Sequence, residues 1–147
     1  MASAAGSNEI PACQGIVSPY NGWEILGRKA GSGSVRIIAH HITLDELRQM
    51  AAATFGNMVK AVVDIDKELL AVDGELHSDL EACLIENGSR QPSLWGINLY
   101  PEMAGDDFIE FDSMINVRPS QGNRSRGVES AQNREKIFQI VAMRVTR

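Results

Sequence analysis

Cysteine is nearly absent from this chain: Cys13 and Cys83 are the only two among 147 residues. Two thiols make a poor disulfide framework, and neither stands at metal-ligand spacing from the other. Cys83 lies among apolar neighbours and reads as a small buried hydrophobe, which makes a reducing cytoplasm the expected setting. Long apolar runs are missing as well. None approaches the ~18 residues of a spanning helix, so no membrane partner is expected. The first residues lack a basic start followed by an apolar stretch, so no secretory signal is expected. No internal repeat is visible. The Gly-Lys-Ser/Thr ending of a P-loop is also lacking, which disfavours an NTPase, and no metal or nucleophile signature names a reaction.

What is present is globular. The apolar fraction is 44%, and the length suits one domain burying ~65–70% of its unfolded surface. The net charge of −5 is laid out unevenly. Residues 35–112 carry five basic and 15 acidic side chains, and residues 113–147 carry seven basic and two acidic. Such asymmetry can mark an anionic partner for the basic end, or a basic segment that packs on the acidic middle. A pI near 5.2 argues against generic nucleic-acid binding.

Residues 1–34 are rich in Ala, Gly and Ser and lack sustained periodicity, so they read as a flexible extension with a short ordered patch near 16–26. Residues 35–147 read as one domain. A short strand at 35–38 precedes a helix whose Thr43 and Glu46 have the spacing of a capping box. That helix carries Leu44, Leu47, Met50, Ala51 and Phe55 in one stripe and stops at Gly56. Strands are predicted at 58–64, 68–72, 94–100 and 108–117. A second capping box, Ser78 with Glu81, opens a helix over 79–86, and Ser130 caps a last helix bearing Ile137, Ile140, Val141 and Val145. The order predicts an α+β domain: a mostly antiparallel sheet of four to five strands with about three helices, largely on one face. The other sheet face is expected to be polar, with backbone left accessible at Gly96.

Three constellations carry chemistry. The first is the loop over 118–128, where Arg118, Gly122, Asn123, Arg124, Ser125, Arg126 and Gly127 gather guanidiniums, turn-forming glycines and small polar groups. Guanidiniums clamp oxyanions bidentately, and the helix that follows points its free N–H groups back at the loop. The same arginines could instead pair with Glu110 or Asp112, and Glu129 already offers a negative charge to that helix end. The second is Glu75, His77 and Asp79. On extended backbone they share a face and suit a metal or acid–base chemistry, with His77 and Asp79 as the metal candidates. A helix starting at Ser78 would turn Asp79 into a first-turn charge instead. The third is Glu110 with Asp112, an acid/base or cation-holding pair on a strand face that solvated strands also display.

Five segments together resemble a family of small bacterial and archaeal proteins known as a domain of unknown function. They are Phe55–Asp64 (FGNMVKAVVD), Gly74–Asp79 (GELHSD), Glu86–Ser89 (ENGS), Leu94–Pro101 (LWGINLYP) and Ile115–Ser125 (INVRPSQGNRS). The resemblance runs from Val35 to the C-terminus, about three quarters of the chain. It implies that the first 34 residues are an addition, or follow from an upstream start codon, and it implies no activity. The residues themselves lead to a cytoplasmic domain that holds a phosphate or other anionic group, from a small molecule or a nucleic acid. The alternatives are a metal-assisted hydrolase or nuclease and an oligomeric or protein-interaction module. No cofactor is named by any motif.

Overall fold

The central strands are apolar on both faces, and that decides the architecture. The structure is a computed structural model; it describes residues 35–147 and the two-residue strand Glu9–Ile10. In chain order the elements are β1 (Glu9–Ile10), β2 (Arg36–Ile38), β3 (Ile42–Thr43), α1 (Leu44–Ala53), β4 (Val59–Asp64), β5 (Leu69–Val72) and α2 (His77–Glu86). They continue with β6 (Leu94–Leu99), β7 (Ile109–Glu110), α3 (Ala131–Arg144) and β8 (Val145–Thr146). One antiparallel sheet runs β1-β2-β5-β4-β6-β7, and β3 and β8 make a small parallel pair. The fold is α+β. Apart from β1, the expected extension over residues 1–34 lies outside the described residues. No helix among the described residues is long and apolar enough to cross a membrane.

Period-2 alternation sorts the strand residues onto two cores. Val59, Ala61, Val63, Trp95, Ile97 and Leu99 point to the face covered by α1 and α3, where Leu47, Ile137 and Val141 meet them. Val62, Leu69, Ala71 and Leu94 point to the opposite face, where Leu80, Cys83 and Leu84 of α2 cover them. Two helices thus share one face, and the face expected to be polar holds a second core under α2. Cys83 is buried as expected but is not a free thiol: it is disulfide-bonded.

Local signals set the ends of α1. Thr43 Oγ1 accepts from the Glu46 N–H at 3.1 Å, and the Glu46 carboxylate reaches back to the Thr43 N–H at 3.5 Å. Gly56, at φ +94°, donates to the Ala51 carbonyl and stops the helix. Phe55 leaves the expected stripe. It is exposed, with the Lys60 ammonium 5.0 Å from its ring centroid.

The strand predicted over 108–117 is cut short. Only Ile109–Glu110 pair with β6, and the chain then bends into 3-10 turns at Met114–Asn116 and Pro119–Gln121. Side chains replace the missing ladder. The fully buried Asn116 carboxamide accepts from Gly96 N at 2.8 Å and donates to Gly96 O at 3.0 Å, as a strand backbone would. Arg118 donates to Leu94 O and Gln91 O, both at 2.7 Å. The backbone expected to stay open at Gly96 is therefore covered. A Cβ there would lie 2.5 Å from Ser113 Cβ. Gly96→Ala is expected to destabilise the fold by about 1–3 kcal/mol through overpacking. A urea midpoint equal to wild type would contradict this close approach.

Candidate functional site

Helix α2 starts at His77, earlier than its sequence signal. Leu76 is the N-cap and no side chain caps the helix. Ser78 lies inside the first turn, so the expected Ser78/Glu81 box does not form, and Glu81 accepts from the Gln91 amide instead. The uncapped end opens onto the polar edge of the α2 face. There the sheet register aligns Lys60, Asn98 and Glu110 across β4, β6 and β7. Leu76, His77 and Ser78 face Lys60 and Asn98 around a cleft of about 240 Å³, closed on its remaining side by residues 112–115 and Arg126. Asn98 and Ser113 are the buried end, while Leu76 and Met114, both more than half exposed, form an apolar rim.

The charges of the cleft are partly committed. Arg126 Nε donates to Asp112 Oδ1 at 2.5 Å, with both side chains about half exposed. An ion pair this open contributes about 0–1 kcal/mol and can be re-partnered. Asn98 Nδ2 donates to Glu110 Oε1 at 2.9 Å and to Asp112 O at 3.3 Å. Tyr100 also donates to Glu110 Oε1 at 2.8 Å, and that bond, more than burial, raises the Tyr100 pKa.

His77 Nε2 donates to the Ile97 carbonyl at 2.8 Å, which leaves Nδ1 without a proton in the neutral ring. Burial pushes the His77 pKa below its ordinary value of 6.5. Lys60 acts in the same sense, while the Ile97 carbonyl, Asp112 and Asn98 oppose it. The unfolded chain therefore takes up this proton first. The native state keeps its full stability above pH 6.5 and loses part of it as the pH falls toward the folded-state pKa. Wild-type Tm is expected to drop more than that of His77→Gln between about pH 7.5 and about pH 5.5. Parallel curves would contradict a neutral, half-buried His77.

The other sequence candidates lie elsewhere. Glu75 and Asp79 are exposed and do not line the cleft, because the early start of α2 winds Asp79 away from His77. Among the described residues no group of three His, Cys, Asp or Glu stands where it could hold a metal ion. In the 118–128 loop, two backbone N–H groups that could meet an anion are taken by the chain's own carboxylate. Arg124 N and Ser125 N both donate to Glu129 Oε2 at 2.8 Å, and these bonds lower the Glu129 pKa.

Arg118 is 7% exposed, with its guanidinium 4.1 Å from the Trp95 ring centroid and two of its nitrogens on carbonyls. Asn123 is a buried tie: its Nδ2 donates to the carbonyls of Asn116, Ser125 and Gly127, and its Oδ1 accepts from Glu129 N. Gly122, at φ +86°, closes the turn beneath it, and a Cβ on Gly127 would meet the Phe111 carbonyl at 3.4 Å. The cleft thus gathers His77, Asp112 and Arg126 from three separate constellations. It adds Lys60 and Asn98, which sequence reasoning missed; a single charge inside the apolar run VKAVV was the available signal for Lys60.

Residues 36–144 match the family described as "Protein of unknown function (DUF5674)", and the chain belongs to it. No curated protein and no solved structure matches the chain.

Proposed function

We propose that this domain binds a small anionic molecule in the cleft between the start of α2 and residues 112–126. The observation that carries the reading is convergence. Lys60, Arg126 and the uncapped first turn of α2 surround one cleft of about 240 Å³ that also holds His77 and Asn98. Free N–H groups at a helix start favour negative charge, and a guanidinium adds a directed pair of donors. Asp112 is the internal stand-in that a ligand oxyanion would displace from Arg126. The volume suits a molecule of a few heavy atoms bearing a phosphate or carboxylate, and not a nucleic-acid strand.

The 118–128 loop contributes Arg126 to this site and otherwise serves as its frame. Arg118 and Asn123 hold the frame, and Glu129 fills the concavity that Arg124 and Ser125 form. An enzymatic use of the cleft would rest on His77, whose Nδ1 lone pair suits a base, and not on a metal held by Glu75, His77 and Asp79. The compartment that goes with the binding reading is the cytoplasm. The disulfide at Cys83 pulls the other way, because such bonds persist mainly in oxidising compartments.

Calorimetric titration of the full chain with inorganic phosphate and with acetate, at low salt, tests the reading. Saturable binding that weakens as salt is raised is the expected outcome. Heats of dilution only, with both anions at millimolar concentration, would overturn it.

A further inference from the structure

We infer that His77 couples anion binding in this cleft to the uptake of one proton, so that the site holds its ligand more tightly in mild acid. The inference rests on the binding reading above and adds the regulation of that site.

Its basis is an imidazole ring that serves two acceptors. The first is Ile97 O, 2.8 Å from Nε2. The second is the Asn98 carboxamide, which lies within side-chain hydrogen-bond reach of the ring. Asn98 Nδ2 donates to Glu110 Oε1 and to Asp112 O, and both of those atoms only accept. The group therefore cannot flip, and Oδ1 is held as an acceptor. Asn98 is 6% exposed, and Oδ1 is shut off from solvent without a hydrogen-bond partner. A neutral imidazole has one N–H, so either tautomer leaves one of the two acceptors unserved, whereas the imidazolium has a donor for each. Buried acceptors in native proteins are nearly always paired, so the unserved Oδ1 points to a second proton on the His77 ring.

An anion in the cleft would supply what that proton needs. Burial opposes the charged ring most and Lys60 repels it, while Ile97 O, Asp112 and Asn98 favour it. The charged groups of the cleft are Lys60 from β4 and Asp112 and Arg126 from the segment after β7. Leu76 and Ser78 of α2 bring none, and Glu110 of β7 is engaged by Asn98 and Tyr100. Asp112 is shared with Arg126, so its charge on the ring is offset by a guanidinium. A ligand oxyanion that takes Arg126 from Asp112 adds net negative charge beside His77. An opposite charge within a few ångströms favours the protonated ring. Linkage makes the effect reciprocal: whatever the anion adds to proton affinity, the proton adds to anion affinity.

Sulfate is the probe, because it stays dianionic while a histidine titrates between about pH 8 and about pH 5. Calorimetry of the full chain at constant ionic strength is expected to show about ten-fold or tighter sulfate binding at the lower pH. In His77→Gln, which keeps an amide donor for Ile97 O, the two affinities are expected to agree within about two-fold. On the wild-type chain, saturating sulfate is also expected to raise the pH at which the His77 ring protons titrate by NMR. Equal wild-type affinities at the two pH values, or an unmoved His77 midpoint, would overturn the inference and leave the binding reading intact. A pH dependence that persists in His77→Gln would place the proton on another group and overturn it as well. Absence of sulfate binding at both pH values would overturn the inference and the binding reading together.

Discussion

Replacing Lys60 and Arg126 together by Met is expected to weaken anion binding by two orders of magnitude or more, with little change in stability. Each substitution removes a charge-assisted contact, and such contacts contribute about 1.5–3 kcal/mol each. Met keeps the aliphatic stem of either side chain. The fold does not depend on these charges. Arg126 pairs with a half-exposed Asp112, and Lys60 lies over an exposed Phe55. Removing both therefore costs the fold only about 1 kcal/mol. Arg124→Met serves as the control. It deletes an exposed guanidinium from the same loop but leaves the Arg124 N–H on Glu129, so binding is expected to stay within about two-fold of wild type. Equal losses in the double variant and the control would mean that general surface charge, not the cleft, attracts the anion.

The second large effect is structural. Asn116→Leu is expected to destabilise the domain by about 3–5 kcal/mol, measured by urea unfolding. The Asn116 carboxamide closes the outer edge of β6 through Gly96 N and Gly96 O, and it donates a further bond to Arg126 O at 2.8 Å. Leucine fills a similar volume but leaves Gly96 N–H and C=O buried without partners. An unpaired buried backbone group costs about 1–3 kcal/mol. Asn116→Asp is expected to fare no better, because a carboxylate would then face the Gly96 and Arg126 carbonyls. The Arg126 backbone is anchored by this contact, so both variants should bind anions more weakly as well. A loss under about 1 kcal/mol would mean that Gly96 finds water or another partner, and that Asn116 does not replace a strand.

How much of this was legible in the sequence depended on the range of the interaction. The α1 cap needs only Thr43 and Glu46, three residues apart, and the Ser130 cap of α3 needs only Asn133. Both could be read locally. Strands β4, β5 and β6 announced themselves through β-branched and alternating residues. The stretch after Glu110 did not, because alternation of apolar and polar residues resumes over 115–118, past the break at Ser113 and Met114, while the pairing does not. Asn116 and Arg118 look like solvent-facing strand residues until Gly96 and Leu94, some twenty residues away, are seen to take their hydrogen bonds. Ser78 was misread for a related reason. A capping box is a pattern of types, and the pattern is silent on whether Leu76 already occupies the cap position.

The candidate site divides in the same way. His77, Asp112 and Arg126 stood out as chemistry-bearing residues but belonged to three separate constellations. Their meeting point follows from the packing of α2 on β4 and β6. Lys60 and Asn98 face each other only through the β4–β6 register, although 37 residues of the chain lie between them. The guanidinium-rich loop looked like the anion site because its composition is right for one. Glu129, close in sequence, meets that composition from within the chain.

Amide chemical-shift mapping during titration with inorganic phosphate is the decisive measurement, because it separates the N–H cluster at the start of α2 from the one in the 118–128 loop. If the cleft holds the anion, saturable shifts are expected at His77, Ser78 and Arg126, with Arg124 and Ser125 unmoved on Glu129. Shifts centred on Arg124 and Ser125, with His77 and Ser78 silent, would contradict it and return the anion site to the loop.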